Sequence, residues 1–242
     1  MKRPTTQGDR VASPTFLHLN VMTEPTANYD PHLTQNFYDR ISKAYDLISD
    51  SGERDARNQG IDALNLTTGE SVLDIGYGTG SAVLELAKRV GGDGSVTGVD
   101  ISPGMQRVAQ EKVNESGTQA KVQLDVGSAL QTSYADDTFD AVFTSFTLEL
   151  FPENDIPTFL AEARRVLKAD GRLGIVAMAT VRDGEKDSAL EKVYKWSHHH
   201  FPHIVDCRPI DVEKFVTEAG FEMVHDKRIE IWTMPVAVVV AK

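Results

Sequence analysis

Two acids and three glycines carry the chemistry that can be read first in this chain. The stretch VLDIGYGTG, residues 72 to 80, runs from apolar residues into Asp74 and then places Gly76, Gly78 and Gly80 at every second position. Asp100 closes a second apolar run, SVTGVD. A dinucleotide turn is spaced G-x-G-x-x-G and rests the pyrophosphate on helix-terminal N–H groups. Here the spacing is G-x-G-x-G, and Ser81 stands where the third dinucleotide glycine would be. A carboxylate two residues before the first glycine repels a pyrophosphate and attracts an ammonium or a sulfonium. Asp74 therefore argues for a cationic ligand. Asp100, at the end of a second strand, is placed to accept hydrogen bonds from both hydroxyls of a ribose, a feature shared with NAD sites. A G-x-G turn alone can be no more than a tight connection; both acids at these spacings make a ligand cradle the better reading.

Such a cradle needs strands to carry the acids and helices to follow the turns. Residues 71 to 75 form an apolar strand, and SAVLELAKRV after the glycines sets Val83, Leu84, Ala87 and Val90 on one side of a helix that Gly91 and Gly92 stop. The unit repeats as SVTGVD with PGMQRVAQEKVNES, KVQLDV with a short irregular segment, DAVFTSF with IPTFLAEARRVLK, and GRLGIVAMA. Five strands alternating with helices predict a parallel sheet covered on both faces. Two helices precede the first strand: Phe37, Ile41, Tyr45 and Ile48 form an apolar stripe in one, and GERDARNQGIDALNL continues as a weaker second. Near the carboxyl end a helix, DVEKFVTEAG, is followed by EMVHDKRIEIW and PVAVVVA, which with no helix between them pair antiparallel at a sheet edge.

Composition narrows the function classes. With 242 residues, of which 40% are hydrophobic, the chain suits one well-buried domain. Its 25 Lys and Arg against 36 Asp and Glu give a charge of -11, which disfavours nucleic acid as a partner. The single cysteine, Cys207, excludes an internal disulfide or multi-cysteine metal site and fits a reducing, cytoplasmic setting. No signal-peptide core and no window long enough to span a membrane are present, so stable insertion is not expected, while peripheral contact stays open. Residues 1 to 30, rich in Pro, Thr and Asn, read as a loose, flexible extension, with Met22 as an alternative start.

The segments VLDIGYGTG, VTGVDISPGM, DDTFDAVFTSFTLELF and AEARRVLKADGRLGIV together resemble the class I S-adenosylmethionine-dependent methyltransferases. The likeness is to the ubiquinone/menaquinone-biosynthesis-like, type 11 branch, and it covers roughly residues 37 to 242. The resemblance implies an α/β fold: a doubly wound, Rossmann-like seven-stranded sheet, mostly parallel with an antiparallel last strand, and helices on both faces. It implies S-adenosylmethionine as cofactor and one domain over 31–242, divided into a helical cap (31–66), a cofactor core (67–180), a substrate lid (181–210) and a carboxyl-terminal helix with edge strands (211–242). By position, Asp74 with Gly76, Tyr77, Gly78, Thr79 and Gly80 would hold the methionine part, Asp100 the ribose, and Ile101 and Met105 the adenine. Gly127, Ser128, Ala129 and Ser145 complete the cofactor set, and Tyr38, off the apolar stripe, is a further candidate to face it. Two positions depart from the commonest pattern: Tyr77 replaces a smaller residue, and Ser128 replaces an Asp that bonds the adenine amino group.

Methyl transfer from a sulfonium is an in-line displacement that needs alignment in a water-poor pocket, and a base only where the acceptor must lose a proton. Candidate bases are Glu149, after the fourth strand, and His200 and His203 in HHHFPHIVDC. A metal is not expected there, because three consecutive helical residues point in different directions. Glu149 could equally cap or solvate a helix start, and the histidines could be exposed at a helix end. The expected reaction is methylation of a small, partly apolar acceptor: a quinone-like ring, a phenol, an amine or a lipid amine. The alternative is a protein that binds S-adenosylmethionine or a derivative without methylating a small molecule. An NAD-dependent oxidoreductase is disfavoured by the glycine spacing and by Asp74. No Asn-Pro-Pro-Tyr-like signature points to a nucleic-acid methyltransferase, and the oligomeric state is not encoded in any motif.

Overall fold

The computed structural model describes residues 52–180, 208–231 and 234–242. The amino-terminal extension, the helix carrying Tyr38 and Tyr45, and most of the predicted lid, with His200, His203 and Cys207, lie outside the described residues. In chain order the elements are α1 (Gly52–Ala63), β1 (Ser71–Ile75), α2 (Ser81–Val90), β2 (Ser95–Asp100), α3 (Pro103–Ser116), β3 (Lys121–Val126), β4 (Phe139–Ser145), α4 (Ile156–Val166), β5 (Leu167–Met178), α5 (Val212–Glu218), β6 (Met223–Ile231) and β7 (Met234–Ala241). A single 3-10 turn, Leu148–Leu150, follows β4. Local signals account for the ends of these elements. Ser102 caps α3 by accepting a hydrogen bond from the Met105 N–H, with Pro103 in the first turn, and Gly117 ends the helix in the left-handed region. Asp211 caps α5 in the same way, through the Lys214 N–H.

The seven strands form one sheet in the order β3-β2-β1-β4-β5-β7-β6. The first five run parallel, and β7 is antiparallel to both its neighbours, β5 and β6. The expected antiparallel pair is thus present, with β7 inserted inside the sheet and β6 outermost. Strand order reverses between β1 and β4, where crossovers leave a crevice at the carboxyl ends of the strands. The helix expected to run through Lys168 ends at Val166, and the strand expected from Gly171 begins at Leu167, with a register shift inside it: Phe139 pairs Leu167 and Ala141 pairs Arg172.

Strand alternation divides the core into two layers. Leu73, Ile75, Val142, Leu173 and Ile175 face Phe159, Leu160 and Ala163 of α4 and Val212 and Val216 of α5. Val72, Val96, Phe143, Val176 and Val238 face Ala56 and Ile61 of α1, Val83, Leu86 and Val90 of α2, and Ala109 of α3. On α2 the buried stripe contains Leu86 instead of the expected Leu84, because residues 82, 83, 86, 87 and 90 fall on one face at 100° per residue. Leu84 turns toward the crevice instead.

Two polar devices fix the parts that border the crevice. Arg172 of β5 donates to the Leu64 and Asn65 carbonyls and forms a two-point ion pair with Glu70, at 2.7 and 3.0 Å. This guanidinium holds the loop between α1 and β1 against the sheet, and so sets α1 over the second core layer. At the other end of β1, the Thr144 hydroxyl donates to the Ile75 carbonyl at 3.0 Å, joining the carboxyl ends of β1 and β4.

Candidate functional site

The glycine turn is built on backbone that side chains disfavour. Gly76, Gly78 and Gly80 have φ of 72°, 53° and 82°. A β-carbon on Gly76 would lie 2.3 Å from the Thr147 hydroxyl, and one on Gly80 would lie 2.9 Å from the Ala109 β-carbon. These two glycines are needed for conformation and for close packing at once. Gly78 differs: no atom lies within 4 Å of where its β-carbon would be, so the turn opens there into free space.

Beneath this turn lies Asp74, 1% exposed, with neither carboxylate oxygen engaged in a hydrogen bond. Because β1 alternates, its side chain points to the α1–α3 side of the sheet, where Arg57 of α1 supplies the opposing charge. Burial raises the Asp74 pKa to about 7; Arg57 pulls it down and Asp100 pushes it further up. A buried carboxylate with two unsatisfied oxygens is costly unless a cation meets it. Asp74 and Gly80 sit behind the wall of the crevice, whereas Gly76, Tyr77, Gly78 and Thr79 form that wall.

Asp100 is held for recognition. Its Oδ2 accepts the Gly78 N–H and its Oδ1 the Ser102 N–H, both at 2.9 Å, which orients the carboxylate at the edge of the crevice that it lines. Ile101, Met105, Gly127, Ser128, Ala129 and Ser145 all line the same cavity. The Ser128 hydroxyl accepts the Leu130 N–H at 3.2 Å, so it shapes its own turn and keeps its proton and a second lone pair.

Tyr77 has a structural explanation. Its ring is 3% exposed and lies against the bare α-carbon of Gly98, where an added β-carbon would come within 2.5 Å of Tyr77 Cδ1. The hydroxyl donates to the Asp125 carbonyl at 3.2 Å. The ring thus fills space above β2 and β3, its main chain borders the cavity, and burial pushes the phenol far above its ordinary pKa. It is not placed to act as a base.

Glu149 does not solvate a helix start: it is 1% exposed, and its Oε1 accepts the Met178 N–H at 3.0 Å. Its Oε2 is buried without a hydrogen-bond partner, and burial raises the carboxyl pKa to about 7. Glu149 lies outside the cavity wall, but its neighbours Leu150 and Phe151 are part of it.

The cavity encloses about 650 Å³. Beyond the expected residues, it is lined by Glu53, Arg54, Arg57 and Asn58 of α1, by Lys88 and Lys112, and by Leu130, Phe146, Thr147, Leu150 and Phe151. Lys112 Nζ donates to the Thr79 hydroxyl at 3.2 Å. Sequence reasoning missed the α1 group, although residues 53, 54, 57 and 58 recur at i, i+1, i+4 and i+5, the spacing of neighbours on a helix surface. The polar lining comes from α1, the glycine turn and Asp100, and an apolar lining comes from the loops after β3 and β4.

Comparison with known proteins agrees with this arrangement. Residues 72–171 match the family model described as a methyltransferase domain. A demethylmenaquinone methyltransferase of Lactiplantibacillus plantarum is 35% identical over 175 residues, covering 70% of this chain and 71% of that protein. Another, from Lactobacillus johnsonii, is 33% identical over 159 residues, which is 64% of this chain and 63% of that protein, so the chain spans only about two thirds of these relatives. Among solved structures, a methyltransferase from Aquifex aeolicus superimposes with a TM-score of 0.59 at 24% identity, over 88% of this chain and 98% of that one, which speaks for the fold. An acid-bearing glycine turn at the switch point of a sheet with an antiparallel seventh strand, joined to these sequence likenesses, identifies the family: the chain belongs to the class I S-adenosylmethionine-dependent methyltransferases, in their ubiquinone/menaquinone-biosynthesis-like branch, and S-adenosylmethionine is its cofactor.

Proposed function

We propose that the protein methylates a small, partly apolar acceptor, and that a quinone-like ring in its reduced, electron-rich form is the acceptor class. The observation that carries the reading is the divided lining of the cavity: charged and polar groups from α1, the glycine turn and Asp100 meet Leu130, Phe146, Leu150 and Phe151. The cofactor fits the first group of residues. Its ammonium would lie over the turn behind which Asp74 holds its charge, its carboxylate would meet the guanidinium of Arg57, and its ribose hydroxyls would reach the carboxylate of Asp100. The space above Gly78, which no atom approaches, suits a close-lying ligand chain, and Ile101 and Met105 offer apolar contact to an adenine ring. When bound, the cofactor supplies a methyl group on a positive sulfur. The protein's part is to orient the acceptor and to exclude water with apolar side chains. That two relatives are named for demethylmenaquinone supports a ring of this kind over an amine.

The test is incubation of purified protein with methyl-labelled S-adenosylmethionine and three acceptors in parallel: demethylmenaquinone reduced to the quinol, a simple phenol and a primary amine. Label in the quinol is expected. Label confined to protein or nucleic acid in a cell extract, with none of the three acceptors modified, would overturn the substrate class.

A further inference from the structure

The loop after β4 is both strained and tied down. Phe146, the first residue beyond β4, has φ of 52°, a left-handed conformation that a bulky side chain rarely adopts unless its surroundings impose it. Its N–H donates to the Val176 carbonyl at 2.8 Å. Three residues on, Glu149 is fully buried: its side chain receives the Met178 N–H and its carbonyl receives the Arg208 N–H at 3.2 Å. The Arg208 guanidinium in turn donates to the Phe151 carbonyl at 2.9 Å. The loop is therefore stitched to β5 on one side and to residue 208 on the other, and its side chains Phe146, Leu150 and Phe151 face the cavity.

We infer that Glu149 is a positioning residue for the acceptor: its buried carboxylate holds the strained loop in the one conformation that presents Phe146, Leu150 and Phe151 as the acceptor-binding wall. The inference rests on the acceptor reading above and deepens it. A carboxylate buried beside the acidic Glu53, with one oxygen unpartnered, is unfavourable for folding, and a leucine would fill the same volume without that cost. Retaining an acid there makes sense where a hydrogen bond to the Met178 N–H must fix the loop. The cofactor contacts assigned to Asp74, Arg57 and Asp100 come from other elements, so loosening this loop should leave them intact.

The experiment compares E149A, E149Q and R208A with the unaltered protein. Cofactor affinity is read by calorimetry, acceptor KM by transfer to the reduced demethylmenaquinone, and loop order by hydrogen exchange at Leu150, Phe151 and Met178. E149A is expected to raise the acceptor KM at least tenfold and speed exchange at all three amides, with cofactor Kd within twofold of the original. E149Q keeps an oxygen for the Met178 N–H and should recover to within threefold. R208A, which cuts the second stitch, should move the KM in the same direction as E149A. An unchanged KM in E149A, a parallel loss of cofactor affinity, or an E149Q as impaired as E149A would each overturn the inference. If the unaltered protein methylates none of the three acceptors, the acceptor class falls, and unchanged exchange in E149A would separately refute the loop's dependence on Glu149.

Discussion

Replacing Asp74 with asparagine should make the protein more stable and a poorer cofactor binder at the same time. The carboxylate is buried without a hydrogen-bond partner, and its pKa rises from 3.8 to about 7. A shift of roughly three units corresponds to about 4 kcal/mol of unfavourable ionisation once the group is charged. Between pH 3.8 and about 7 the folded chain holds the extra proton, so this site's contribution is fully present below that window and lost as pH rises through it. At pH 8, D74N removes a charge that costs up to about 4 kcal/mol; at pH 4 the substitution exchanges one neutral group for another and changes little. For a domain of this size each kcal/mol moves Tm by about 2–4 °C, so D74N should melt several degrees higher at pH 8 and about equally at pH 4. The same change deletes the negative charge that lies behind the turn under the proposed ammonium position, and a lost attraction of about 1.4 kcal/mol or more predicts at least tenfold weaker binding. Thermal melts at the two pH values and calorimetric titration at pH 8 measure both effects. A D74N protein that is destabilised at pH 8, or that binds S-adenosylmethionine as tightly as the original, would refute the reasoning.

Three further outcomes are expected. Asp100→Ala should weaken S-adenosylmethionine at least tenfold, about 1.4 kcal/mol, because it removes the proposed ribose contact and frees the Gly78 and Ser102 N–H groups it orients; unchanged affinity by calorimetry would count against the assignment. S-adenosylhomocysteine should raise Tm and NAD should not, since the glycine turn stands over a carboxylate that would repel a pyrophosphate; the opposite pattern in a melting screen would revive a dinucleotide reading. Gly98→Ala should destabilise the fold by about 1–3 kcal/mol, because its β-carbon would meet Tyr77 Cδ1 at 2.5 Å and Leu124 Cδ2 at 2.9 Å. Combining it with Tyr77→Ala should cost less than the sum of the two changes in urea denaturation, and strict additivity would show that the ring does not rest on Gly98.

The linear order of residues was enough for the ligand class and most of the scaffold. Asp74, the G-x-G-x-G spacing and Asp100 are local signals, and the limits of α2, β2 and α3 follow from caps, glycines and apolar periodicity within a few residues of each boundary. Leu86 replaced Leu84 in the core because the two differ by a rotation on one helix, and only the position of the sheet decides which side is inside. Arg57 was missed for a related reason. It lies 17 residues before Asp74, and nothing local to either residue announces that α1 packs on the face to which Asp74 points. Tyr77 does line the cavity, but where its ring goes depends on Gly98, on the neighbouring strand, which makes room for it.

What the sequence determined by itself is therefore what short-range chemistry can encode: strand, turn and helix, the sign of the charge beneath the turn, and with these the family and its cofactor. What tertiary structure alone decided is the environment of each charge. Asp74 and Glu149 are ordinary acids in the chain, and they become carboxyls that titrate near neutrality only because sheet and helices close over them and remove water. Desolvation depends on atoms brought from distant parts of the chain, so no local pattern of residues can report it.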